Sequence, residues 1–257
     1  MSIDPRQDGD DMATCRPAGS YGIDAPAVPR LWVGLAAASA AAGAALAARV
    51  RRPWAQPLGT LLLLGALGNA AGAAVHLHTS VRGKFQLWSD LLDDGAPAPA
   101  RVLDIGCGRG AVAIMTARRF PGAHVTGVDL WHTADQSGNS PDAAARNASA
   151  AAVTDRVRYV TADMRELPFS DASFELVTAS LSIHNLPSPA DRRRAVREVV
   201  RVLAPGGRVA IMDIQHTSEY ADALREAGLD VEGPRDAGWR GWWTGPWMPT
   251  QVLRARA

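Results

Sequence analysis

Residues 102–110 contain the feature that constrains this chain most, a short apolar strand pattern that runs directly into three alternate glycines. The apolar residues before Gly106 are typical of a buried parallel strand, and the glycines predict a tight turn. Residues 111–120 have the composition of a following helix. Such glycines allow positive φ and the close approach of a ligand, while the helix N-terminus supplies free N–H groups. We therefore predict a strand, loop and helix that bind a nucleotide-like ligand.

The glycines alone do not identify that ligand. The spacing of Gly106, Gly108 and Ala111 also satisfies the loose dinucleotide pattern, and Asp129 lies at the distance of a ribose-binding acid. Asp104, at the end of the strand, favours a different ligand. Its carboxylate would repel a pyrophosphate but would attract the ammonium group of an amino acid, directly or through water.

Beyond residue 100 the chain alternates strand and helix patterns, which is typical of βαβ units. Strands are predicted at residues 101–105, 123–129, 157–161, 173–179 and 207–213, and helices at 110–119, 140–152, 190–203 and 217–227. Right-handed crossovers would place helices on both faces of a parallel sheet. The pattern therefore predicts an α/β, doubly wound fold.

Together with residues 102–110, the stretches 125–130, 161–169 and 201–208 resemble the class I S-adenosylmethionine-dependent methyltransferases that act on small molecules. Each motif is weak, but four in the family's order are specific, and the resemblance covers residues 82–257. It implies a seven-stranded, mostly parallel sheet with one antiparallel C-terminal strand, completed by residues 231–232 and 251–255. It also implies methyl transfer from S-adenosyl-L-methionine to a small acceptor, with release of S-adenosylhomocysteine.

The resemblance also implies a set of cofactor-binding residues. They are Asp104, Gly106, Cys107, Gly108, Asp129, Leu130, Asp163, Met164 and Ser180. Asp104 and the glycine backbone are expected to hold the methionine moiety, and Asp129 the ribose hydroxyls. Asp163 is expected to accept from the adenine amino group, while Met164 packs on the purine. The alternatives are turn acids at Asp129 and Asp163 and a core methionine at Met164.

The acceptor side is less defined. Residues 180–187 follow the fourth predicted strand, where ligands of open α/β sheets bind. In this segment His184 has a side chain that can act as a general base. Such a base is needed only if the acceptor loses a proton, and the alternative is a structural role for His184. The polar residues 131–139 either bind ligand or cap the next helix. Residues 239–247 contain four tryptophans, which could close an acceptor pocket, lie at a membrane interface or fill the join with the N-terminal helices.

The N-terminal third divides into two parts. Residues 1–30 show no apolar period and predict a flexible tail, whereas residues 31–80 predict two hydrophobic helices before the 81–257 domain. Each helix is about the length that crosses a bilayer, so membrane association through residues 31–76 is expected. Small residues such as Gly65, Gly68 and Gly72 are expected to let the two helices approach each other closely. The alternatives are a hairpin packed on the domain or on a second copy, or one inserted in a single leaflet.

Composition limits the remaining function classes. A net charge of +1 without a basic stripe disfavours nucleic acid, and no metal site is expected. The two cysteines, Cys15 and Cys107, favour a reducing compartment, so we expect a membrane-associated protein whose catalytic domain faces the cytoplasm. The acceptor is expected to be small and lipophilic. The rival functions are a non-catalytic membrane scaffold and a nicotinamide-dependent oxidoreductase, and the oligomeric state stays open.

Overall fold

A seven-stranded sheet lies at the centre of the computed structural model, which describes residues 15–50 and 52–257. Its strands are β1 (Arg101–Ile105), β2 (His124–Asp129), β3 (Val157–Thr161), β4 (Phe174–Ser180), β5 (Leu203–Asp213), β6 (Asp230–Asp236) and β7 (Gln251–Arg256). Their spatial order is β3-β2-β1-β4-β5-β7-β6, and β7 is antiparallel to both of its neighbours while the other pairings are parallel. The predicted fold class is confirmed.

Helices cover both faces of this sheet. The chain's helices are α1 (Ala27–Arg49), α2 (Ala55–His78), α3 (Lys84–Leu92), α4 (Ala111–Arg119), α5 (Pro141–Ala150), α6 (Pro189–Val202) and α7 (Thr217–Glu226), and those that cover the sheet are α3 to α7. Successive residues of β1 point to opposite faces, so Val102 packs with α3 and α4 while Leu103 packs with α6 and α7. Both layers are apolar, which explains why Val102, Leu103 and Ile105 of this strand are apolar.

Most predicted element boundaries agree with the structure to within two residues. The exception is β5, which begins at Leu203 rather than near residue 207. Leu203 is buried and pairs with Phe174 across a register irregularity, so the chain passes from α6 into the sheet without a separate loop. This pairing depends on a partner strand about thirty residues away, and local periodicity carries no sign of it.

The two hydrophobic helices form an antiparallel hairpin whose close contacts differ from those predicted. A Cβ on Gly43 would lie 2.8 Å from the carbonyl oxygen of Gly59, and one on Gly72 would lie 2.7 Å from the Trp32 ring. Gly65 and Gly68 have open space around them, so their predicted role in helix contact is wrong. Gly72 thus makes the helix contact predicted for it, and the α1 and α2 backbones also approach each other at Gly43 and Gly59.

Residues 15–26, expected to belong to a flexible tail, instead pack on the domain. Tyr21 is fully buried and meets the Phe85 ring edge-on at 5.4 Å between centroids. Asp24 forms an ion pair with Lys84, with 2.6 Å between Oδ2 and Nζ. The helix α1 already begins at Ala27, and residues 1–14 lie outside the described part of the chain. The polar composition of residues 15–26 predicts a mobile tail. The contacts that order these residues are all tertiary, so the local sequence does not reveal them.

Helix α2 continues through a π-helical turn, Thr79–Gly83, into α3. Phe85, Trp88 and Leu92 recur at helical spacing in α3, and all three are buried. The hairpin and the domain are therefore joined by unbroken helix. A Cβ on Gly83 would lie 1.9 Å from the Arg240 carbonyl oxygen, so this glycine allows the tryptophan-rich segment to pack against the turn.

Candidate active site

One cavity of about 830 Å³ opens at the carboxyl ends of the central strands. The nine residues predicted to bind cofactor and the predicted base all line it: Asp104, Gly106, Cys107, Gly108, Asp129, Leu130, Asp163, Met164, Ser180 and His184. They come from the ends of β1, β2 and β4 and from the segments that follow strands β1 to β4. A parallel sheet with the order described above brings these ends to one edge.

The glycine loop is shaped by contacts that exclude side chains. Gly106 and Gly108 have φ of +65° and +53°. A Cβ on Gly106 would lie 2.2 Å from Ser182 Cβ, and one on Gly108 would lie 2.5 Å from Gln136 Oε1. The same Gln136 oxygen accepts from the backbone N–H of Arg109 at 2.8 Å. The loop is thus held in a conformation that only glycine adopts without strain, and it leaves backbone exposed to the cavity.

Asp129 is held by the loop next to it. Its Oδ2 accepts from the Gly108 N–H at 2.8 Å, and its Oδ1 accepts from the N–H of Trp131 at 2.5 Å and from the side-chain amide of Asn139 at 3.2 Å. A carboxylate oxygen has about two acceptor positions, so Oδ2 retains one. That position can accept from one ligand hydroxyl, whereas a second, neighbouring hydroxyl would have to share Oδ1 with the Trp131 and Asn139 donors.

Asp104 is buried at the end of β1. Its Oδ1 accepts from the Thr178 hydroxyl at 2.8 Å, and its Oδ2 accepts from the Ala113 N–H at 3.1 Å. Burial raises the pKa of Asp104 to about 7, although both hydrogen bonds lower it. A bound ammonium group would compensate the buried charge, which suits the predicted contact with an amino acid moiety.

We expect the affinity for S-adenosylhomocysteine to depend on the ionisation of Asp104. Since protonated Asp104 does not attract an ammonium group, affinity should rise about tenfold between about pH 6 and pH 8. Calorimetric titrations across this range measure the effect. The variant Asp104→Asn should bind weakly and lose this pH dependence. If Asp104→Asn kept the pH dependence of the wild-type protein, a group other than Asp104 would be its cause.

Asp163 has a partner that the sequence did not reveal. Arg165 Nη2 lies 2.7 Å from Asp163 Oδ2, and Arg165 Nε donates to both carboxylate oxygens. Arg165 also pairs with Asp191 at 2.9 Å. The guanidinium hydrogen bonds hold the pKa of Asp163 below its usual range. An adenine amino group at this position would share the carboxylate with Arg165, so the predicted adenine contact stays a prediction.

The acceptor side contains a histidine–aspartate pair. His184 Nδ1 lies 2.5 Å from Asp213 Oδ1, and the His184 N–H donates to Oδ2 at 3.2 Å. A carboxylate only accepts, so Nδ1 carries the proton and Nε2 of the neutral ring retains its lone pair. Sequence reasoning missed Asp213, although it ends the predicted strand 207–213 and so had to reach the same edge of the sheet.

Ser180, at the end of β4, is held by the first helix of the domain. Its Oγ accepts a hydrogen bond from Trp88 Nε1 at 2.8 Å.

The polar residues 131–139 mainly hold the N-terminal segment and the glycine loop. Ser137 Oγ accepts from the Ile23 N–H at 2.9 Å, and Gln136 Nε2 donates to Asp24 Oδ1 at 3.2 Å. The cap of α5 is supplied by Ser140, outside that run, whose hydroxyl accepts from the Ala143 N–H. The helix-capping alternative is therefore wrong for residues 131–139.

Asp24 and helices α1 to α3 supply one wall of the cavity. The lining includes Asp24, Val28, Trp32, His76, Lys84, Phe85 and Trp88. The tryptophan-rich segment meets this wall: Trp243 contacts His76 at 5.0 Å between ring centroids, and Trp239 stacks on His78 at 5.2 Å. Trp243 and Trp247 also line the cavity. The segment thus both closes the cavity and fills the join with the hairpin.

Comparison with known proteins agrees with this geometry. A family model described as "Methyltransferase domain" matches residues 103–211. The chain is 36% identical over 162 residues to 27-O-demethylrifamycin SV methyltransferase of Amycolatopsis mediterranei, covering 53% of this chain and 56% of that protein. It is 30% identical over 194 residues to the ubiquinone/menaquinone biosynthesis C-methyltransferase UbiE of Roseobacter denitrificans, covering 66% and 74%. The chain thus spans about half to three quarters of the length of these relatives.

A solved structure shows the same fold. Geranyl diphosphate C-methyltransferase from Streptomyces coelicolor A3(2), in complex with Mg²⁺, geranyl-S-thiolodiphosphate and S-adenosyl-L-homocysteine, aligns with a TM-score of 0.53. It is 20% identical and covers 72% of this chain and 78% of its own. With the sheet order, the glycine loop and the matched domain, these similarities lead to one conclusion. The chain belongs to the S-adenosylmethionine-dependent methyltransferase family.

Proposed function

We propose that this protein transfers the methyl group of S-adenosyl-L-methionine to a small lipophilic acceptor at a membrane surface. One observation carries the proposal. The cavity that contains the predicted cofactor residues is completed by residues of the hydrophobic hairpin, among them Trp32 and His76. A cofactor site that is walled by apolar helices is suited to an acceptor that partitions into lipid.

The cofactor half fits the proposed group. Asp129 would hold the ribose hydroxyls, Asp104 the ammonium group, and the backbone of Gly106 and Gly108 the methionine moiety. Met164 and Leu130 supply apolar surface for a purine. When bound, S-adenosyl-L-methionine supplies an electrophilic methyl on a positively charged sulfur. The protein's contribution is then to align the acceptor with that methyl and to exclude water.

The acceptor half supplies a base where one is needed. With Nδ1 held by Asp213, the Nε2 lone pair of His184 can take a proton from an acceptor hydroxyl as the oxygen attacks the methyl. The names of the two relatives differ on the methylated atom, since one specifies oxygen and the other carbon. A carbon acceptor also loses a proton after methylation, so a base at this position serves either reaction.

The hairpin is proposed to associate with the membrane. Helices α1 and α2 are long and apolar enough to cross a bilayer, by length and composition. Their outer faces expose large aliphatic side chains, with Leu61, Leu64 and Leu67 between 61% and 68% exposed. Lipid would cover this surface, and the catalytic domain would face the cytoplasm, where the cofactor is made.

Transfer is tested by incubating the purified full-length protein with methyl-labelled S-adenosyl-L-methionine and a total lipid extract in detergent. We expect label to enter the organic phase as S-adenosylhomocysteine accumulates. Label entering water-soluble acceptors alone would contradict a lipophilic acceptor. No release of S-adenosylhomocysteine with any acceptor would contradict transfer itself and favour the scaffold function.

Membrane association is tested with charged substitutions on the exposed face of α2. The double variant Leu61→Lys/Leu64→Lys should move the protein from vesicles to the soluble fraction, because each lysine costs about 2.5–3.5 kcal/mol at a bilayer centre. Flotation with phospholipid vesicles measures the distribution. The control Leu61→Ala/Leu64→Ala keeps the surface apolar and should stay bound. A charged variant that still floats would show that other residues anchor the protein.

A further inference from the structure

The hairpin of α1 and α2 packs in the opposite sense to a pair of helices in a soluble protein. Between Ala55 and Gly72 the buried residues of α2 are alanines and glycines, and α1 buries Pro29 and Gly43. Large side chains of α2 are exposed instead, among them Leu58, Leu61, Leu63, Leu64 and Leu67. Small residues at the helix contact with large aliphatic residues outside is the packing of helices in lipid.

The apolar surface surrounds the hairpin rather than forming one face of it. Leu58 and Leu67 are nine residues apart, which is two and a half turns of helix, so they point in opposite directions. They are 41% and 68% exposed. A hairpin that lay flat on a membrane, or paired with a second copy through one face, would leave one of these leucines in water. A bilayer around the hairpin covers both.

The free length of the hairpin matches a complete bilayer. Trp32 lines the cavity, and a Cβ on Gly72 would lie 2.7 Å from its ring, so these residues mark where the hairpin meets the domain. From Trp32 to Arg49, and from Ala55 to Gly72, each helix advances seventeen residues. At about 1.5 Å per residue this is about 26 Å. The hydrocarbon core of a bilayer is about 30 Å thick, and one leaflet is about half of that.

Polar side chains within this length are satisfied by their own helix. The Thr60 hydroxyl donates to the Gln56 carbonyl oxygen at 3.0 Å, and Asn69 Nδ2 donates to the Gly65 carbonyl oxygen at 2.9 Å. Neither group therefore needs a water molecule as its partner, which is the condition for polar side chains in a bilayer.

The tip of the hairpin carries charge. Arg49 and Arg52 are exposed there, and the neighbouring Trp54 is more than half exposed. Arginine is costly in the hydrocarbon core, whereas arginine and tryptophan are both favoured at the headgroup level. A hairpin inserted only halfway would place both arginines at the bilayer centre. One that spans the bilayer places them at the opposite headgroups.

The base of the hairpin has its own aromatic residues. Trp239 stacks on His78, the last residue of α2, and Trp247 lines the cavity. Both tryptophans are more than half exposed. The apolar length thus has tryptophan at each end, as a span with two interfaces requires.

We infer that the α1–α2 hairpin spans the whole bilayer. Trp239 and Trp247 then lie at the cytoplasmic headgroups, and Arg49 and Arg52 contact phosphates of the opposite leaflet. This inference rests on the membrane association in the proposed function and deepens it, since it selects a full span over insertion in a single leaflet.

The test adds one cysteine at each of three depths of the full-length protein in bacterial cells and labels it with a membrane-impermeant maleimide. The variants are Gln56→Cys at the tip, Leu64→Cys in the middle and Asp155→Cys on the domain. The wild-type protein, with Cys15 and Cys107, gives the background. Labelling is compared in spheroplasts, which expose the outer side, in inverted membrane vesicles, which expose the cytoplasmic side, and in detergent.

We expect Gln56→Cys to be labelled above background in spheroplasts, Asp155→Cys in inverted vesicles and not in spheroplasts, and Leu64→Cys in detergent alone. Wild-type affinity for S-adenosylhomocysteine in detergent reports that each variant is folded. The labelling pattern does not depend on methyl transfer, so its result is independent of the transfer assay.

Three results would overturn the inference. Gln56→Cys labelled in neither membrane preparation would show insertion in one leaflet. Labelling of Gln56→Cys and Leu64→Cys in inverted vesicles would show a hairpin on the membrane surface, and labelling of Asp155→Cys in spheroplasts would show the reverse orientation. Recovery of the wild-type protein as a soluble dimer would contradict the proposed membrane association itself and assign the apolar surface to a second copy.

Discussion

The variant Asp129→Asn is expected to bind S-adenosylhomocysteine about 10- to 100-fold more weakly than the wild-type protein. A hydrogen bond to a charged group contributes about 1.5–3 kcal/mol, and the free acceptor position on Oδ2 provides for one such bond from a ribose hydroxyl. The substitution also places an amide where the Gly108 and Trp131 N–H groups now donate to carboxylate oxygens. The glycine loop would thus lose one of the contacts that orient it. Calorimetric titration of the full-length protein measures the affinity.

The matched control for Asp129 is Asp155→Asn. The Asp155 side chain is 76% exposed and lies 3.9 Å from Arg156, away from the cavity lining. This variant should bind S-adenosylhomocysteine with wild-type affinity and have the same unfolding temperature. If Asp129→Asn also kept wild-type affinity, the cofactor would have to bind by a different arrangement from the one proposed, and the glycine loop would need another role.

The variant His184→Ala is expected to lower kcat by about 10²–10⁴-fold if the acceptor loses a proton in the reaction. The reason is geometric, because the Asp213 hydrogen bond holds the His184 ring with Nε2 as the lone-pair nitrogen. Binding of S-adenosylhomocysteine should change little, since the residues proposed to hold it, other than Ser180, lie at or just after the ends of β1, β2 and β3. Single-turnover measurement of methyl transfer separates the chemical step from acceptor binding.

Two further variants sharpen this experiment. Asp213→Asn should also lower kcat, because an amide can leave the wrong ring nitrogen protonated. His216→Ala is the control, since His216 pairs with Glu219 at 3.1 Å and is absent from the cavity lining. Wild-type turnover in both His184→Ala and Asp213→Asn would assign this pair a structural role, which was the alternative for His184 from the start.

The positions of the proposed cofactor residues in one cavity could be predicted from the sequence because these residues follow local rules. Gly106 and Gly108 stand where the chain needs positive φ, and Asp129 stands at the end of an apolar strand. Parallel strands bring such ends together whatever the rest of the chain does. The same rule would have located Asp213 at the end of β5, but nothing in the sequence alone links it to His184, twenty-nine residues away.

The acceptor half could not be predicted in the same way, because it is built from contacts between distant parts of the chain. Asp24 meets Lys84, and Trp243 meets His76, across separations of 60 and 167 residues respectively. The sequence alone therefore predicts that residues 15–26 belong to a tail and that His76 is a single polar residue in an apolar helix. The hydrophobic periodicity of either segment gives no information about which distant residues it contacts.

The fold class, the glycine loop and the acids at the strand ends follow from the sequence alone, because each depends on backbone conformation and short-range apolar patterning. Three features became known only from the packed structure: the hydrophobic hairpin forms a wall of the cavity, Arg165 forms an ion pair with Asp163, and Asp213 holds the His184 ring. Those pairings depend on which side chains are desolvated together. Burial of this kind is a property of the packed chain rather than of any one segment.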